Sequence, residues 1–260
     1  MMEEEFSIGN ALMLAIEWAK KAGEIQMSYF RGTNLGIQTK SNVYDVVTRA
    51  DKQCETFLLE QIGKHYPGHA VLGEESGEHA GTKDYLWIID PLDGTNNFSQ
   101  GLPVFTVSIG LQHRGKTILG VVYAPYLKEL YTAVLGEGAF LNGEPIRVSR
   151  KEDLEHSILG TGFPYDKDVN PDNNLSNVVS ILPHLRGLRR MGSAAYDLCC
   201  VAAGFLDGYW EICLHSWDIC AGALIVEEAG GKIYHFRQDR GVSIIAGNPV
   251  ILEKMKEKIK

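Results

Sequence analysis

The feature that most constrains this chain is the stretch Tyr85-Leu-Trp-Ile-Ile-Asp90-Pro91-Leu92-Asp93-Gly94-Thr95-Asn-Asn-Phe98. The apolar run Leu86 to Ile89 reads as a buried strand. It ends in two carboxylates three residues apart, with Pro91 between them and Gly94 and Thr95 behind. Pro91 fixes its own φ and biases Asp90 toward an extended conformation. Gly94 permits a bend that a side chain would obstruct. The pattern predicts a sharp turn at a strand's end that can converge both carboxylates. Convergent oxygens of that kind suit a hard cation such as Mg²⁺. An Asp/Gly turn without a ligand satisfies the same residues.

A second stretch bears on that choice. It is Glu211-Ile-Cys-Leu-His-Ser216-Trp217-Asp218-Ile-Cys-Ala221-Gly222, followed by a helical run to Gly230-Gly231. Together the two stretches resemble the signatures of the inositol monophosphatase family of Mg²⁺-dependent, lithium-sensitive phosphatases. Asp90 to Thr95 match the family's Asp-Pro-Ile/Leu-Asp-Gly-Thr motif throughout, and Trp217 to Gly222 match its Trp-Asp motif. Cys220 stands where the family has a small residue, a departure in packing rather than in ligands. The resemblance extends over nearly the whole chain. It implies a mixed α/β (α+β) fold, a layered α-β-α-β-α sandwich of the inositol monophosphatase and fructose-1,6-bisphosphatase type.

The resemblance also implies a site with two or three Mg²⁺ ions. Glu74, Asp90 and the carbonyl of Leu92 would hold one ion, and Asp90, Asp93 and Asp218 a second. Gly94 and Thr95 would offer N–H groups to a phosphate. The Thr95 hydroxyl would pair with Asp51 to position and deprotonate a water, with Glu74 as the third catalytic group. Lys40 matches a lysine near the phosphate. Gly192, Ser193, Ala194 and Glu211 would lie beside the inositol hydroxyls, with Asp93 and Asp218 also in reach of substrate. Arg190, with Arg189, would bind a second phosphate or only flank its strand. The residues themselves permit plainer roles. Asp51 has capping-box spacing from Thr48, Asp218 sits in a helix's first turn, and Glu74 and Lys40 suit solvated loops.

Composition narrows the class. A chain of 260 residues can bury a large core. Its net charge of −8 argues against a nucleic-acid substrate, which calls for a basic face. The acidic opening Met-Met-Glu-Glu-Glu is opposite in sign to a signal peptide, and no apolar run spans a bilayer. The five cysteines are odd in number and lack a Cys-x-x-Cys pair, which fits reduced thiols and a cytoplasmic location. Cys213, His215 and Cys220 lack zinc spacing. Homodimerisation is what the family implies.

Along the chain, helical periodicity covers 7–31 and 49–66, with a polar loop to Asp45 between them. Strands are expected at 70–72, 86–89, 104–112, 117–123 and 129–134, with glycines 136–143 as hairpin punctuation. The charged stretch Arg150 to Glu155 suggests a boundary. It divides an N-terminal half, 1–150, carrying Glu74 and the Asp90–Thr95 motif, from a C-terminal half, 151–260, carrying Asp218. A shared core with the site at the junction is expected. Beyond 150, strands at 157–161, 188–191 and 208–212 alternate with helices at 174–182 and 194–203. Ser216 is expected to cap a helix running to Ala229. Two short strands and a terminal helix finish the chain.

The chemistry that follows is Mg²⁺-dependent hydrolysis of a small phosphorylated polyol or sugar, with inositol monophosphate preferred. Fructose 1,6-bisphosphate, histidinol phosphate, NADP and 3′-phosphoadenosine 5′-phosphate are alternatives. An aspartyl-phosphate mechanism wants Asp-x-Asp, whereas Pro91 and Leu92 separate the acids here. A catalytically silent metal-binding or interaction protein is the reading from another class.

Overall fold

The computed structural model describes residues 6–260; the acidic opening, residues 1–5, lies outside them. Helix α1 (Ile8–Tyr29) starts at Ser7, whose hydroxyl accepts the Asn10 N–H. Ala11, Ala15, Ala19 and Ala22 recur along its buried face, so the backbone can lie close to the layer beneath. The segment read as a polar loop contains a short antiparallel pair, β1 (Gln38–Thr39) with β2 (Val46–Val47). Helix α2 (Arg49–His65) follows, closed by the expected Thr48/Asp51 capping box. The chain then runs through β3 (His69–Gly73), β4 (Gly77–His79), β5 (Thr82–Asp93) and the single-turn α3 (Thr95–Ser99). The meander is β6 (Thr106–His113), β7 (Lys116–Ala124), β8 (Glu129–Val134), β9 (Gly138–Leu141) and β10 (Glu144–Pro145).

Beyond residue 150 come β11 (Ile158–Thr161), α4 (Leu175–Ile181), β12 (Gly187–Arg189), α5 (Ala194–Ala202) and β13 (Gly208–Leu214). They are followed by α6 (Ser216–Glu228), β14 (Lys232–Arg237), β15 (Val242–Gly247) and α7 (Pro249–Lys256). Ser216 does not cap α6. The N-cap is His215, and its N–H is answered by the carboxylate of Asp218 at 2.7 Å. The acid three residues on thus answers the N-cap donor, the second half of a capping box.

Two sheets result. The larger has strand order β10-β9-β8-β7-β6-β5-β3-β4, antiparallel except for the parallel β3–β5 pair. The smaller has order β12-β11-β13-β15-β14. Helices α1 and α2 cover one face of the larger sheet, with Trp18, Leu58, Trp87, Ile109 and Val121 between the layers. Helices α5 and α6 fill the space between the sheets, where Val122, Tyr131, Leu198, Ile225, Tyr209 and Ile244 share one core. Ile181, Trp210, Ile245, Ile251 and Met255 pack α4 and α7 on the outer face of the smaller sheet. The layers therefore alternate α-β-α-β-α.

Helix α6 is buried on nearly every side, as a central layer requires. Its approach to the larger sheet depends on two glycines that face each other across β6 and β7, Gly110 and Gly120. A Cβ on Gly110 would lie 2.5 Å from Cys220 Sγ, and one on Gly120 would lie 2.7 Å from the Ala221 carbonyl. Cys220 thus packs into a notch in the sheet, donating its bulk to the core and nothing to the site.

Candidate metal and substrate site

The parallel register of β3 and β5 sets Gly73 opposite Ile89. Each strand's next residue is an acid, so Glu74 and Asp90 leave neighbouring strand ends side by side. The expected turn at Pro91 takes a different form. Strand β5 continues to Asp93 through a bulge: Asp90 pairs with Ser108 and Asp93 with Thr106, three steps on one strand against two on the other. In a regular strand, residues three apart point to opposite faces. The extra residue in the bulge returns Asp93 to the side of Asp90. Pro91 has no N–H to lose from the ladder there. The chain bends at Gly94, whose φ of 93° is open to glycine at little cost.

Two buried groups hold this bulge. The Leu92 N–H donates to Asp90 Oδ1 at 2.9 Å. Gln26 of α1 donates from Nε2 to the Pro91 carbonyl at 2.8 Å. A polar Gln inside an apolar helical stripe was the available signal for this support, and the periodicity reading passes over it.

Helix α6 brings the third acid. Carboxylate oxygens of Asp90, Asp93 and Asp218 lie within 4.8 Å of one another. Burial drives Asp90 well above the ordinary carboxylate range, and the charges of Glu74, Asp93 and Asp218 add to it. Asp218 is likewise pushed well up by burial, then by Asp93. Asp93 is pushed up to about 6 by burial, against hydrogen bonds from the Ser193 hydroxyl and the Ala195 N–H. Three acids with raised proton affinity, Asp90 and Asp93 buried and Asp218 half-buried, are a cluster short of positive charge. Lys40 is the cation beside it, and its ammonium already binds Glu74 at 2.7 Å and Glu75 at 2.5 Å. Burial opposes its charge, yet the two glutamates hold its pKa above the usual lysine value. The all-oxygen donor set and the unneutralised acids fit a hard divalent cation.

Asp51 serves two partners with two oxygens. Oδ2 accepts the Thr48 N–H at 2.9 Å and its hydroxyl, closing the α2 cap. Oδ1 accepts the Thr95 hydroxyl at 2.9 Å, which also approaches the Leu92 carbonyl at 3.0 Å. Burial pushes Asp51 up to about 6. The cap and the pairing with Thr95 therefore coexist on one carboxylate.

A cavity of about 500 Å³ opens over these groups. Lys40, Glu74, Asp93, Gly94, Thr95, Asp218, Arg190, Gly192, Ser193, Ala194 and Glu211 all line it. Asp51, Asp90 and Leu92 lie beneath, buried. Arg189 is exposed and bonds the Leu188 carbonyl, so of the arginine pair it is Arg190 that faces the cavity. Glu211 accepts the Tyr209 hydroxyl and is pushed up to about 7 by burial. Its carboxylate occupies the space over Gly162, where a Cβ would overlap it. Gly162 carries no signal in the sequence, since its role lies in the contact with Glu211. The sequence reading misses Tyr165, His215 and Arg240, which line the same cavity. No metal-ligand or triad spacing marks these residues; His215 is placed by its neighbours Trp217 and Asp218, and the others by contacts from segments distant in the chain.

Two stacked sheets with an acidic, oxygen-only cluster under a polar cavity define a class of cation-dependent proteins that handle small anions. The chain belongs to the inositol monophosphatase family, whose model matches residues 10–259. It is 44% identical over 254 residues to the Nus factor SuhB of Pasteurella multocida, covering 95% of each chain. Among solved structures it is similar to the extragenic suppressor protein suhB of Bartonella henselae. That likeness has 37% identity and a TM-score of 0.90, covering 96% of this chain and 98% of the other. It is also similar to the inositol monophosphatase of Anabaena, at 39% identity and a TM-score of 0.86, covering 97% of each. The family is generally Mg²⁺-dependent, in keeping with the acidic cluster. Among the described residues, no helix is long and apolar enough to cross a membrane.

Proposed function

We propose that this protein is a Mg²⁺-dependent phosphate monoester hydrolase that converts a myo-inositol monophosphate and water to myo-inositol and phosphate. The observation that carries this reading is the convergence of Asp90, Asp93 and Asp218 beside the Thr95–Asp51 pair. Glu74, Asp90 and the Leu92 carbonyl would hold one ion, and Asp90, Asp93 and Asp218 another. Bound Mg²⁺ supplies positive charge for the attacking water, the phosphoryl oxygens and the departing alkoxide. Thr95 orients the water, and Asp51, with its affinity for a proton raised toward neutrality, accepts the proton. The N–H groups of Gly94 and Thr95 face the phosphoryl oxygens. Lys40 holds Glu74 in place and brings a further positive charge to the phosphate side. Glu211 accepts hydrogen bonds from the polyol hydroxyls, with Gly192, Ser193 and Ala194 along the same wall. The site lies where residues 1–150 meet residues 151–260. All five cysteines are free thiols, which supports a reducing, cytoplasmic setting. A homodimer and inhibition by lithium complete the reading.

Phosphate release from D-myo-inositol 1-phosphate and fructose 1,6-bisphosphate, side by side with Mg²⁺ or EDTA, tests it. Turnover of the inositol ester, lost in EDTA, is the expected result. Preference for the bisphosphate would move the substrate and direct attention to Arg190. The name Nus factor borne by the Pasteurella relative favours a second reading, a metal-binding or interaction protein without turnover. Folded protein that released no phosphate from inositol, sugar, histidinol or nucleotide esters would establish that reading instead.

A further inference from the structure

Tyr165 stands on the segment that joins β11 to α4 and lines the cavity beside Phe163, Pro164 and Asp166. The segment is tied down on two sides. On one, Arg240 Nη2 donates to both carboxylate oxygens of Asp166 at 2.8 Å. Its Nη1 reaches the Asp172 carbonyl at 2.8 Å, and Arg237 forks the Asp172 carboxylate at 3.0 and 2.5 Å. This clamp joins the segment to the turn between β14 and β15. On the other side, Asn42 Nδ2 donates to the Tyr165 carbonyl at 3.3 Å, and Lys167 Nζ lies 4.3 Å from the centre of the Tyr44 ring. Three loops therefore meet at the mouth of the cavity, and Tyr165 is a large aromatic where they meet.

Its ring has two environments. The residue is 46% exposed, so it is no core side chain. It nonetheless lines the cavity, together with Glu74 and Asp218. A rigid ring that lines the cavity and is open to water on its flank forms a wall. Arg240 fixes its position by bonding Asp166 through Nη2 and Asp172 through Nη1, charge-assisted bonds at two points of the same segment.

We propose that Tyr165 is a specificity-determining residue whose ring bounds the mouth of the cleft, admitting a compact polyol phosphate and hindering a nucleoside monophosphate. The proposal rests on the phosphatase reading above. The Arg240–Asp166 clamp is its positioning device.

The test measures kcat and KM for D-myo-inositol 1-phosphate and adenosine 2′-monophosphate with wild type, Tyr165→Ala, Tyr165→Phe and Arg240→Gln, each checked for folding by circular dichroism. Tyr165→Ala is expected to shift the ratio of kcat/KM about tenfold toward the nucleotide, the size of effect that filling or emptying a pocket produces. The gain resides in the nucleotide's KM. Tyr165→Phe keeps the wild-type ratio, because the ring and not the hydroxyl forms the wall. Arg240→Gln, which frees the wall, shifts the ratio in the same direction. An unchanged ratio in both Tyr165→Ala and Arg240→Gln overturns the proposal. So does an equal loss of kcat on both substrates, which marks a merely structural role. Wild-type protein inert toward both esters is a separate outcome: it removes the phosphatase reading, and this proposal with it.

Discussion

At the scale of single residues, the site is held by side chains that satisfy two demands at once. Asp218 accepts the His215 N–H with one oxygen and leaves the other to the cluster. Asparagine in its place keeps an acceptor for the cap and removes one of the repelling charges. Asp218→Asn is therefore expected to stabilise the metal-free protein, because burial and the charge of Asp93 already oppose ionisation there. The same change is expected to lower phosphatase activity by about 10² or more, as removal of a preorganised charge does. Thermal unfolding in EDTA and phosphate release in Mg²⁺ must move in opposite directions; a loss of both would show that the residue is chiefly a cap. Gly162 poses the reverse case, a residue whose absent side chain matters. Gly162→Ala forces the Glu211 carboxylate out of its place. The expected outcome is a KM for inositol phosphate raised about tenfold at a stability cost of about 1–3 kcal/mol. A KM within the error of wild type would mean that Glu211 does not touch the polyol. The acids of the two motifs were legible because ionisable residues at short spacing carry chemistry in their letters. Gly162, Gln26 and Tyr165 were not, since each acquires meaning only from a partner far away in sequence.

At the scale of elements, most strands and helices declared themselves through periodicity, from α1 to α7. What escaped were short pieces. Strand β4 has a polar, partly exposed pattern, and β1 is two residues long, so neither carries an alternation to read. The turn expected at Pro91 emerged as a bulge for a physical reason: β6 continues alongside and keeps hydrogen-bonding past Asp90. A comparable irregularity in β13 sets Cys213 at a φ of 64°, between paired Glu211 and Leu214. A side chain in the left-handed region costs roughly 1–2 kcal/mol, and glycine escapes that cost. Cys213→Gly is thus expected to raise stability by about 1 kcal/mol in urea unfolding, and a lower midpoint would show that the thiol's packing outweighs the strain. Asn174, 2% exposed at the start of α4, makes the opposite point. Its amide donates to Thr161 Oγ1 and the Gly162 carbonyl, and its carbonyl accepts the Trp210 indole N–H at 2.8 Å. Those bonds tie α4 to β11 and β13 directly behind the cavity. Asn174→Ala leaves several buried groups unpaired, so a loss of about 2–4 kcal/mol is expected; a loss below about 1 kcal/mol would mean that water replaces the amide.

At the scale of the whole molecule, the site is a store of protons that a cation can displace. Glu75 and Glu211 are pushed up to about 7, and Asp51 and Asp93 to about 6, in each case first by burial. In the unfolded chain such acids titrate near 4. Between about pH 4 and 7 the folded state thus binds more protons than the unfolded state, and linkage makes stability fall as pH rises. The contribution is fully present below the unfolded values and is lost as pH passes the folded ones. Asp172, held below the usual range by hydrogen bonds and charge from Arg237 and Arg240, works the other way and only below about pH 4. Within the window from pH 4.5 to 7.5 the four raised acids outnumber the one opposing group among the described residues, His69, whose pKa burial lowers. In EDTA the unfolding temperature is expected to decline across that window, with a stability loss of roughly 2–4 kcal/mol after solvent screening. Mg²⁺ competes with the protons, so its stabilisation grows with pH. The increment in unfolding temperature on adding Mg²⁺ should be small at pH 5 and several degrees at pH 7.5. An increment independent of pH would mean that the ion binds away from the buried acids, and one larger at pH 5 would reverse the sign of the linkage and remove the metal centre from this cluster.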